Sequence, residues 1–353
     1  MASPQVGGAG ALCEALTQVD QGPFVAQPRV TVGDYLDEWL ETMRPNVRAT
    51  THAGYVRNVA KLKGGLGHVH LADLRPVMIE RLYAELAATS GRGGTPLSAK
   101  SVVNVHLCLG KALADAERLG MLAANPVRRV RPPRWSSPEM RVWSAKQTLA
   151  FLDASAAHRL HAAFVLLATT GMRRGEVVGL RWADVDLDSA RLQVRQAVTT
   201  VENRIVVDSP KTRRSRRSVT LDEDTVAALR SHRRRQAGER LVAGALWQDA
   251  GMVFTNELGA MLQRDAVSRA FAAVVRQSGL PRIRLHDLRH GWASLALEAG
   301  IHPKVVSERL GHSAVGITLD TYSHVVQGLD AEAATTVAKK LFRRREEAEP
   351  RSR

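Results

Sequence analysis

The chain has 353 residues, of which 50 are Lys or Arg and 35 are Asp or Glu. With 44% hydrophobic and 24% charged residues its composition is that of an ordinary globular protein, which excludes collagen, coiled coil and wholesale disorder. No apolar run approaches the roughly 20 residues that cross a bilayer, and residues 1–10 lack the basic flank and apolar core of a secretory signal. We therefore expect a cytoplasmic protein with no membrane partner, and a length of this kind favours two domains.

The basic excess consists mainly of arginine, and it leaves a net charge of +15. Arginine binds phosphate through a planar, bidentate fork, so the composition indicates an acidic polymer such as nucleic acid as partner. The codon usage of a GC-rich genome explains the ratio of arginine to lysine equally well, but it does not explain the net charge. The two cysteines, Cys13 and Cys108, lie too far apart in sequence to form a disulfide framework or a metal knuckle.

Residues 1–29 are rich in Gly, Ala, Gln and Pro without periodicity, which predicts a flexible arm. Residues 30–127 then show four helical patterns, at 32–44, 50–62, 75–88 and 98–119, each with one apolar face. We expect Gly64 and Gly65 to follow the second helix and Gly120 to end the fourth. Together the patterns predict a small helical bundle. Its apolar stripes are formed by Val32, Tyr35, Leu36, Trp39, Leu40, Tyr55, Val56, Val59, Leu62, Ile79, Leu82, Tyr83, Leu86, Val102, Val105, Leu109, Leu113 and Ala116.

Residues 128–141 are broken by proline and strongly basic, which predicts an extended linker between two domains. Four arginines in this segment could close over a DNA duplex, and simple solvation of their charges explains them equally well. These candidate DNA-binding residues are Arg128, Arg129, Arg131 and Arg134.

Residues 142–345 form the second predicted domain, followed by a charged tail at 346–353. Helical patterns occupy 144–157 and 162–170, a further helix follows 176, and β-branched runs at 191–198, 201–207 and 215–221 predict one three-stranded antiparallel sheet. Helices resume at 222, 264–278, 287–299, 303–309 and 330–345. The fold class is therefore mainly α with a small antiparallel β-sheet.

Reactive residue types recur in this second domain. Arg173 follows a Gly-Met turn with Glu176 one helical turn later, and His286 and Arg289 share a helix face that could meet one phosphate. Taken singly, the first pair is typical of an ordinary ion pair at a helix start, and a lone His-x-x-Arg motif is weak. Tyr322 is the one tyrosine of this domain, and it has polar neighbours.

Lys211 opens a basic run between two predicted strands. A solvated hairpin is the usual meaning of such a run, but lysine can deliver a proton near neutral pH whereas arginine effectively cannot, so Lys211 is a candidate general acid. The run also supplies four candidate DNA-binding residues, Arg213, Arg214, Arg216 and Arg217.

Six residues of this domain, taken in chain order, resemble the catalytic residues of the tyrosine recombinase (phage integrase) family. They are Arg173, Lys211, His286, Arg289, His312 and Tyr322. The resemblance spans roughly residues 31–345 and depends on four local contexts. These are Thr-Gly-Met-Arg-Arg-Gly-Glu, His-Asp-Leu-Arg-His, Leu-Gly-His and Asp-Thr-Tyr-Ser-His. It implies a SAM-like, core-DNA-binding first domain and an α+β catalytic second domain. It also implies integration or excision of a phage or mobile element.

The resemblance implies that Tyr322 attacks a DNA phosphodiester and forms a 3′-phosphotyrosyl link. Arg173, Arg289 and His312 would bind the non-bridging oxygens, and His286 would assist proton movement at the tyrosine. Lys211 would protonate the leaving 5′-oxygen, and Glu176 would orient the cluster. No cofactor, metal or ATP is required in this mechanism. The implied partners are duplex DNA carrying attachment or core sites, a homotetramer on that DNA, an excisionase and a host DNA-bending protein.

Two alternatives stay open from the sequence. A type IB topoisomerase uses similar chemistry to relax supercoils, and a non-catalytic DNA-binding accessory protein would use the basic surface alone. The small size and helical first domain argue against the topoisomerase. The accessory protein leaves the six reactive residue types unexplained.

Overall fold

The structure is a computed structural model, and it describes residues 30–89, 95–136, 140–202, 204–208 and 216–327, with the isolated positions 335, 337, 338 and 341. The described residues are mostly helical and include small antiparallel sheets. They divide into two compact units, Met1–Ser137 and Pro138–Arg353, and the division falls within the predicted linker. Within the described ranges, no helix combines the length and apolar character needed to span a membrane.

The first unit is a helical bundle built on four apolar faces. Its helices are α1 (Val32–Met43), α2 (Ala49–Leu66), α3 (Pro76–Thr89) and α4 (Ala99–Arg118). Thr31 caps the first helix by accepting a hydrogen bond from the Asp34 backbone N–H at 3.1 Å. Two polar atoms on the buried face of α1 form hydrogen bonds with α4. The Tyr35 hydroxyl donates to Ala112 O at 2.6 Å, and Trp39 Nε1 donates to Asp115 Oδ2 at 3.0 Å.

Two sequence expectations for this bundle are wrong. The second helix continues through Gly64 and Gly65 to Leu66, because Leu66 is buried and Gly65 meets the third helix closely: a Cβ there would lie 2.6 Å from Leu82 Cδ1. The glycine thus permits packing and does not end the helix. Val56 is exposed, although the predicted stripe included it.

The start of the predicted linker belongs to the bundle. Pro126–Arg129 form a 3-10 helix. Val127 within this helix and Val130 directly after it are buried in the core of the first unit. Arg128 is tied to Glu117 by two hydrogen bonds of 3.0 and 2.7 Å. Apolar burial therefore fixes a segment that its prolines and charges had marked as extended.

The second unit begins with α5 (Ala145–Ala154), α6 (His161–Thr170) and α7 (Arg174–Val178). The sixth helix is apolar on nearly every face, and it lies at the centre of the core, where Phe151, Phe164 and Phe271 meet at ring distances of 4.9 to 6.2 Å.

The strands form two sheets, and the predicted single three-stranded sheet is wrong. β1 (Val185–Asp186), β2 (Arg191–Val194) and β5 (Arg217–Thr220) form one antiparallel sheet in the order β1-β2-β5, and β3 (Ala197–Val201) pairs with β4 (Arg204–Asp208) in another. The run 191–198 breaks at Arg195 and Gln196. The Gln196 side chain donates to Gly179 O at 2.9 Å, and the chain then changes partner from the fifth strand to the fourth.

The remaining helices carry most of the candidate site. They are α8 (Glu223–Ala243), α9 (Arg264–Ser278), α10 (Asp287–Glu298), α11 (Pro303–Leu310) and α12 (Val315–Gln327). The last of these includes Tyr322, in a stretch that the sequence patterns did not mark as a helix. The predicted helical run 330–345 lies outside the described residues except at its four isolated positions.

Candidate active site

Two left-handed glycine turns bring the ends of separate helices together. Gly171 ends α6 with φ +65°, and Gly311 ends α11 with φ +69°. A Cβ on Gly171 would lie 2.7 Å from Leu310 Cδ2, so only glycine fits this approach. The carbonyl groups at these two turns thereby become available to side chains from other elements.

Arg289 is buried between the two turns. It projects from α10, and its two terminal nitrogens donate to Gly171 O at 2.7 Å and to Leu310 O at 2.9 Å. Burial, and then the charge of Arg173, lower the pKa of Arg289 to about 9, which leaves the guanidinium charged at neutral pH. Among the described residues no carboxylate binds these terminal nitrogens, and a buried positive charge of this kind is suited to an anionic ligand.

Arg173 approaches the same turn from the start of α7. Its Nη2 donates to Gly311 O at 3.1 Å, and its Nη1 donates to Glu176 Oε1 at 3.0 Å. The side chain is 38% exposed, which leaves part of the guanidinium open to a ligand from solvent. The two arginines thus donate to adjacent carbonyl groups of the Leu310–Gly311 turn.

Glu176 is a buried carboxylate that fixes Arg173. It is 5% exposed and accepts hydrogen bonds from the Arg173 backbone N–H at 2.9 Å and from both terminal nitrogens of Arg217, at 3.1 and 2.8 Å. Burial raises the pKa of this carboxyl, but the hydrogen bonds and charge of Arg217, followed by the charge of Arg173, outweigh burial and set the pKa below its usual range.

Arg217 does not fit the sequence expectation that it binds DNA. Its side chain is 7% exposed, its Nη atoms bind Glu176, and its Nε donates to Arg309 O at 2.6 Å. Because it opens β5 and reaches into the site, its role is to fix Glu176 in place. Arg216, the preceding residue, is exposed. The other run residues with predicted roles, Lys211, Arg213 and Arg214, lie outside the described residues.

His312 follows the Leu310–Gly311 turn directly. Its Nδ1 lies 2.8 Å from the hydroxyl of Thr318, a fully buried residue on α12. Burial, and then the charges of Arg289 and Arg173, lower the pKa of His312 to about 4, so the ring is neutral at pH 7. The Thr318 hydroxyl can donate to Nδ1, and in that tautomer the ring proton is on Nε2, which can then donate to a ligand.

Tyr322 lies in a separate apolar cluster beside this group. It is 1% exposed, and it packs in a cluster that includes Leu310 and Val306. Its backbone, with φ −119° and ψ 21°, interrupts the regular geometry of α12. Burial raises the pKa of its hydroxyl to about 12, although the charge of Arg289 acts in the opposite direction.

Two histidines on α10 accompany the tyrosine. His290 Nδ1 lies 2.7 Å from the Tyr322 hydroxyl, and the rings of His286 and His290 meet edge-on with centroids 5.0 Å apart. Burial lowers the pKa of His286 below its usual value. Sequence reasoning gave His286 the contact with the tyrosine and missed His290, although a histidine directly after Arg289 at position i+4 from His286 was a usable signal.

Three of the four candidate DNA-binding residues of the first unit are exposed to solvent and have no ion pair among the described residues. Arg129, Arg131 and Arg134 are exposed, whereas Arg128 shares its guanidinium with Glu117. Close to Arg134, Lys100 Nζ lies 4.1 Å from the centroid of the Trp135 ring, a cation–π contact within this unit.

Comparison with known proteins identifies the family. The model of the phage integrase family matches residues 140–328, and that of the N-terminal SAM-like domain of phage integrases matches residues 31–87. The chain is 29% identical over 346 residues to a tyrosine recombinase XerC-like protein of Caldanaerobacter subterraneus subsp. tengcongensis, covering 92% of this chain and 87% of that one. It is 28% identical to an integrase of Streptomyces ambofaciens, covering 94% and 86% of the two chains.

Solved structures share the fold. The Tn1549 transposon integrase in complex with a circular intermediate DNA aligns with a TM-score of 0.71 at 21% identity, covering 83% of this chain and 95% of that one. A lambda integrase dimer bound to a core site aligns with a TM-score of 0.61 at 20% identity, covering 83% and 95%. With family models matching both halves of the described chain, this protein belongs to the phage integrase family of tyrosine recombinases, which are enzymes of site-specific DNA recombination.

Proposed function

We propose that this chain cuts and rejoins duplex DNA at specific sites, with Tyr322 as the nucleophile, and that it integrates or excises a phage or mobile element. The observation that carries the proposal is the convergence of Arg173, Arg289 and His312 on one turn, beside a tyrosine. The DNA-bound structures of similar integrases support DNA as the partner.

The chemistry follows from the charges of the cluster. The Tyr322 oxygen attacks phosphorus, the bond from phosphorus to the 5′-oxygen breaks, and a 3′-phosphotyrosyl link forms. Arg173 and Arg289 stabilise the charge that develops on the non-bridging oxygens, and each such donor is typically worth about 3–4 kcal/mol. His312 adds a hydrogen bond to the same oxygens from Nε2.

The remaining residues complete the reaction. Lys211 supplies a proton to the leaving 5′-oxygen, which later attacks the phosphotyrosyl bond of the partner strand. Glu176 fixes Arg173 by accepting from both its backbone and its side chain. The energy of the broken phosphodiester stays in the tyrosyl bond, so the reaction consumes no ATP.

Sites and partners are part of the same proposal. Exposed arginines at positions 129, 131, 134 and 216 bind DNA phosphates, together with Arg213 and Arg214. Four protomers assemble on two sites, with an excisionase and a host DNA-bending protein directing the reaction. The enzyme acts in the cytoplasm, in contact with the nucleoid.

A covalent adduct tests the nucleophile. Binding selection from random duplex DNA recovers a site, and a nicked version of that site traps the cleaved complex because the short product diffuses away. Wild-type protein should form an adduct that survives denaturation, whereas Tyr322→Phe should bind the site nearly as well and form none. An adduct with the Phe variant would show that another residue attacks the phosphate.

A further inference from the structure

Tyr322 makes a short polar contact with His290, a residue that has no role in the mechanism proposed above. The Tyr322 hydroxyl oxygen and His290 Nδ1 lie 2.7 Å apart, with the ring centroids at 5.9 Å and the planes inclined by 53°. This distance is that of a good hydrogen bond, and the tyrosine packs within an apolar cluster that includes Leu310 and Val306.

The proton on this hydroxyl is an obstacle to attack. Burial raises the pKa of Tyr322 to about 12, so the phenol stays protonated at neutral pH. A phenol is a poor nucleophile until its proton leaves, and a base within hydrogen-bond distance is the usual means of removing it. The position of that base is therefore part of the mechanism.

We propose that His290, and not His286, accepts the proton of Tyr322 during cleavage and returns it during rejoining. The proposal rests on Tyr322 being the nucleophile. In cleavage, the O–H bond of Tyr322 breaks as the proton passes to His290 Nδ1. The phenolate oxygen bonds to phosphorus, and the bond to the 5′-oxygen breaks, with the leaving oxygen protonated from Lys211. In rejoining, the incoming 5′-hydroxyl returns its proton to Lys211 as its oxygen bonds to phosphorus. The bond from phosphorus to the tyrosyl oxygen breaks, and that oxygen recovers its proton from the imidazolium of His290.

The surroundings of His290 keep its acceptor nitrogen available. Burial lowers the pKa of His290, the positive charges of Arg289 and Arg284 lower it further, and Asp287 acts in the opposite direction. The ring is therefore neutral at pH 7, with a lone pair on Nδ1 when Nε2 carries the proton. The charged and titratable groups that face it are His286, Asp287, Arg289 and Arg284 on or beside its own helix, His312 after α11, and Tyr322 on α12.

His286 is placed for a different task. Its ring meets the ring of His290, and its pKa is lowered by burial and then by that neighbour. The ring of His286 contacts His290, and the ring of His290 contacts Tyr322. His286 is therefore a positioning residue for His290 in cleavage.

The test compares His290→Asn with His290→Ala on two substrates. The Asn side chain can accept a hydrogen bond from Tyr322 but cannot take its proton, whereas Ala can do neither. Single-turnover adduct formation is measured on the selected nicked site and on the same site with a sulfur in place of the 5′-bridging oxygen. The sulfur leaves without a proton, so this substrate removes the demand on Lys211 and isolates the deprotonation of Tyr322.

Both variants should be slowed on both substrates, by about 100-fold, the usual contribution of a general base. Wild-type cleavage of the sulfur substrate should decline as the pH falls through the lowered pKa of His290, and the Asn variant should lose this decline. Wild-type rates in the Asn variant would overturn the proposal, because they would reduce His290 to a hydrogen-bonding partner. Rescue of either variant by sulfur would also overturn it, because His290 would then act on the leaving group.

A second measurement does not depend on the folding of these variants. A fluorinated tyrosine at position 322 has a lower phenol pKa and needs less assistance from a base. In otherwise wild-type protein it should reduce the depth of the acid limb of the rate profile, because the reaction then depends less on His290. An unchanged profile would overturn the proposal. Absence of any adduct from the wild-type protein would instead refute the function of Tyr322, so the two failures are distinguishable.

Discussion

Arg217 holds Glu176 in a bidentate ion pair, at 3.1 and 2.8 Å, in which both side chains are less than a tenth exposed. Glu176 in turn fixes Arg173, which faces the proposed phosphate position. A residue on a short β-strand therefore supports an arginine at the start of a helix through one buried carboxylate. This relationship makes Arg217 part of the framework of the candidate active site.

Removing Arg217 should destabilise the second unit. Arg217→Ala leaves the buried Glu176 with Arg173 as its remaining charged partner, and we expect a loss of about 3 kcal/mol in the free energy of unfolding. The matched control is Arg216→Ala, which removes an exposed charge and should change stability by less than about 0.5 kcal/mol while weakening DNA binding. Thermal unfolding of both variants measures the difference.

The same pair predicts an acid dependence. The pKa of Glu176 in the folded protein lies below its ordinary value of 4.5, so its stabilising contribution is full above that value and is lost as the pH falls through the lower, folded pKa. Arg217→Ala should raise the folded pKa and move the acid loss of stability to higher pH. Equal acid unfolding curves for wild type and variant would contradict the ion pair as the cause.

Thr318 should matter for catalysis through His312. Thr318→Val removes the hydroxyl that lies 2.8 Å from His312 Nδ1, and with it the hydrogen bond that the proposed tautomer of His312, with its proton on Nε2, receives from Thr318. We expect cleavage to slow about tenfold, equivalent to about 1.4 kcal/mol. Thr318→Ser should restore the rate. Thr321→Val is the matched control on the same helix, because the Thr321 hydroxyl is exposed and donates to Ile317 O, and its effect should be small. An equal loss in both Val variants would point to the helix and not to His312.

Lys211 should act on the leaving group. We expect Lys211→Ala to slow cleavage severely and the 5′-bridging sulfur substrate to restore much of the rate, because its leaving group needs no proton. This response is opposite to that expected of the His290 variants. Loss of rate that is the same on both substrates would mean that Lys211 only holds DNA.

DNA binding should depend strongly on salt and not on metal. Neutralisation of many phosphates should reduce affinity by at least about 1000-fold between 50 and 200 mM salt. Arg129→Ala, Arg131→Ala and Arg134→Ala should each lower the slope of log affinity against log salt by about 1, and Arg128→Ala by less, because Arg128 is paired with Glu117. Cleavage should proceed in EDTA, since guanidinium groups supply the charge.

The sequence by itself determined the helices of the first unit and singled out the candidate reactive residues. Apolar side chains at helical spacing, such as Val32, Leu36 and Leu40, are buried because a helix repeats its face every 3.6 residues. The set from Arg173 to Tyr322 was recognisable because its residue types and local contexts stand in a fixed chain order. Helical spacing and the order of residues along the chain can both be read without knowledge of the fold.

Only the tertiary structure decided which side chains touch. The pairing of Arg217 with Glu176 joins residues 41 positions apart, and that of His290 with Tyr322 joins residues 32 apart. The charge pattern of the basic run placed Arg217 in solvent with its neighbours, but strand pairing of Arg217 with Val194 fixes the residue at the start of β5, where its side chain meets the buried carboxylate. Which member of a run of arginines is buried, and which of two histidines meets the tyrosine, depends on how helices and strands pack, and no local pattern encodes that packing.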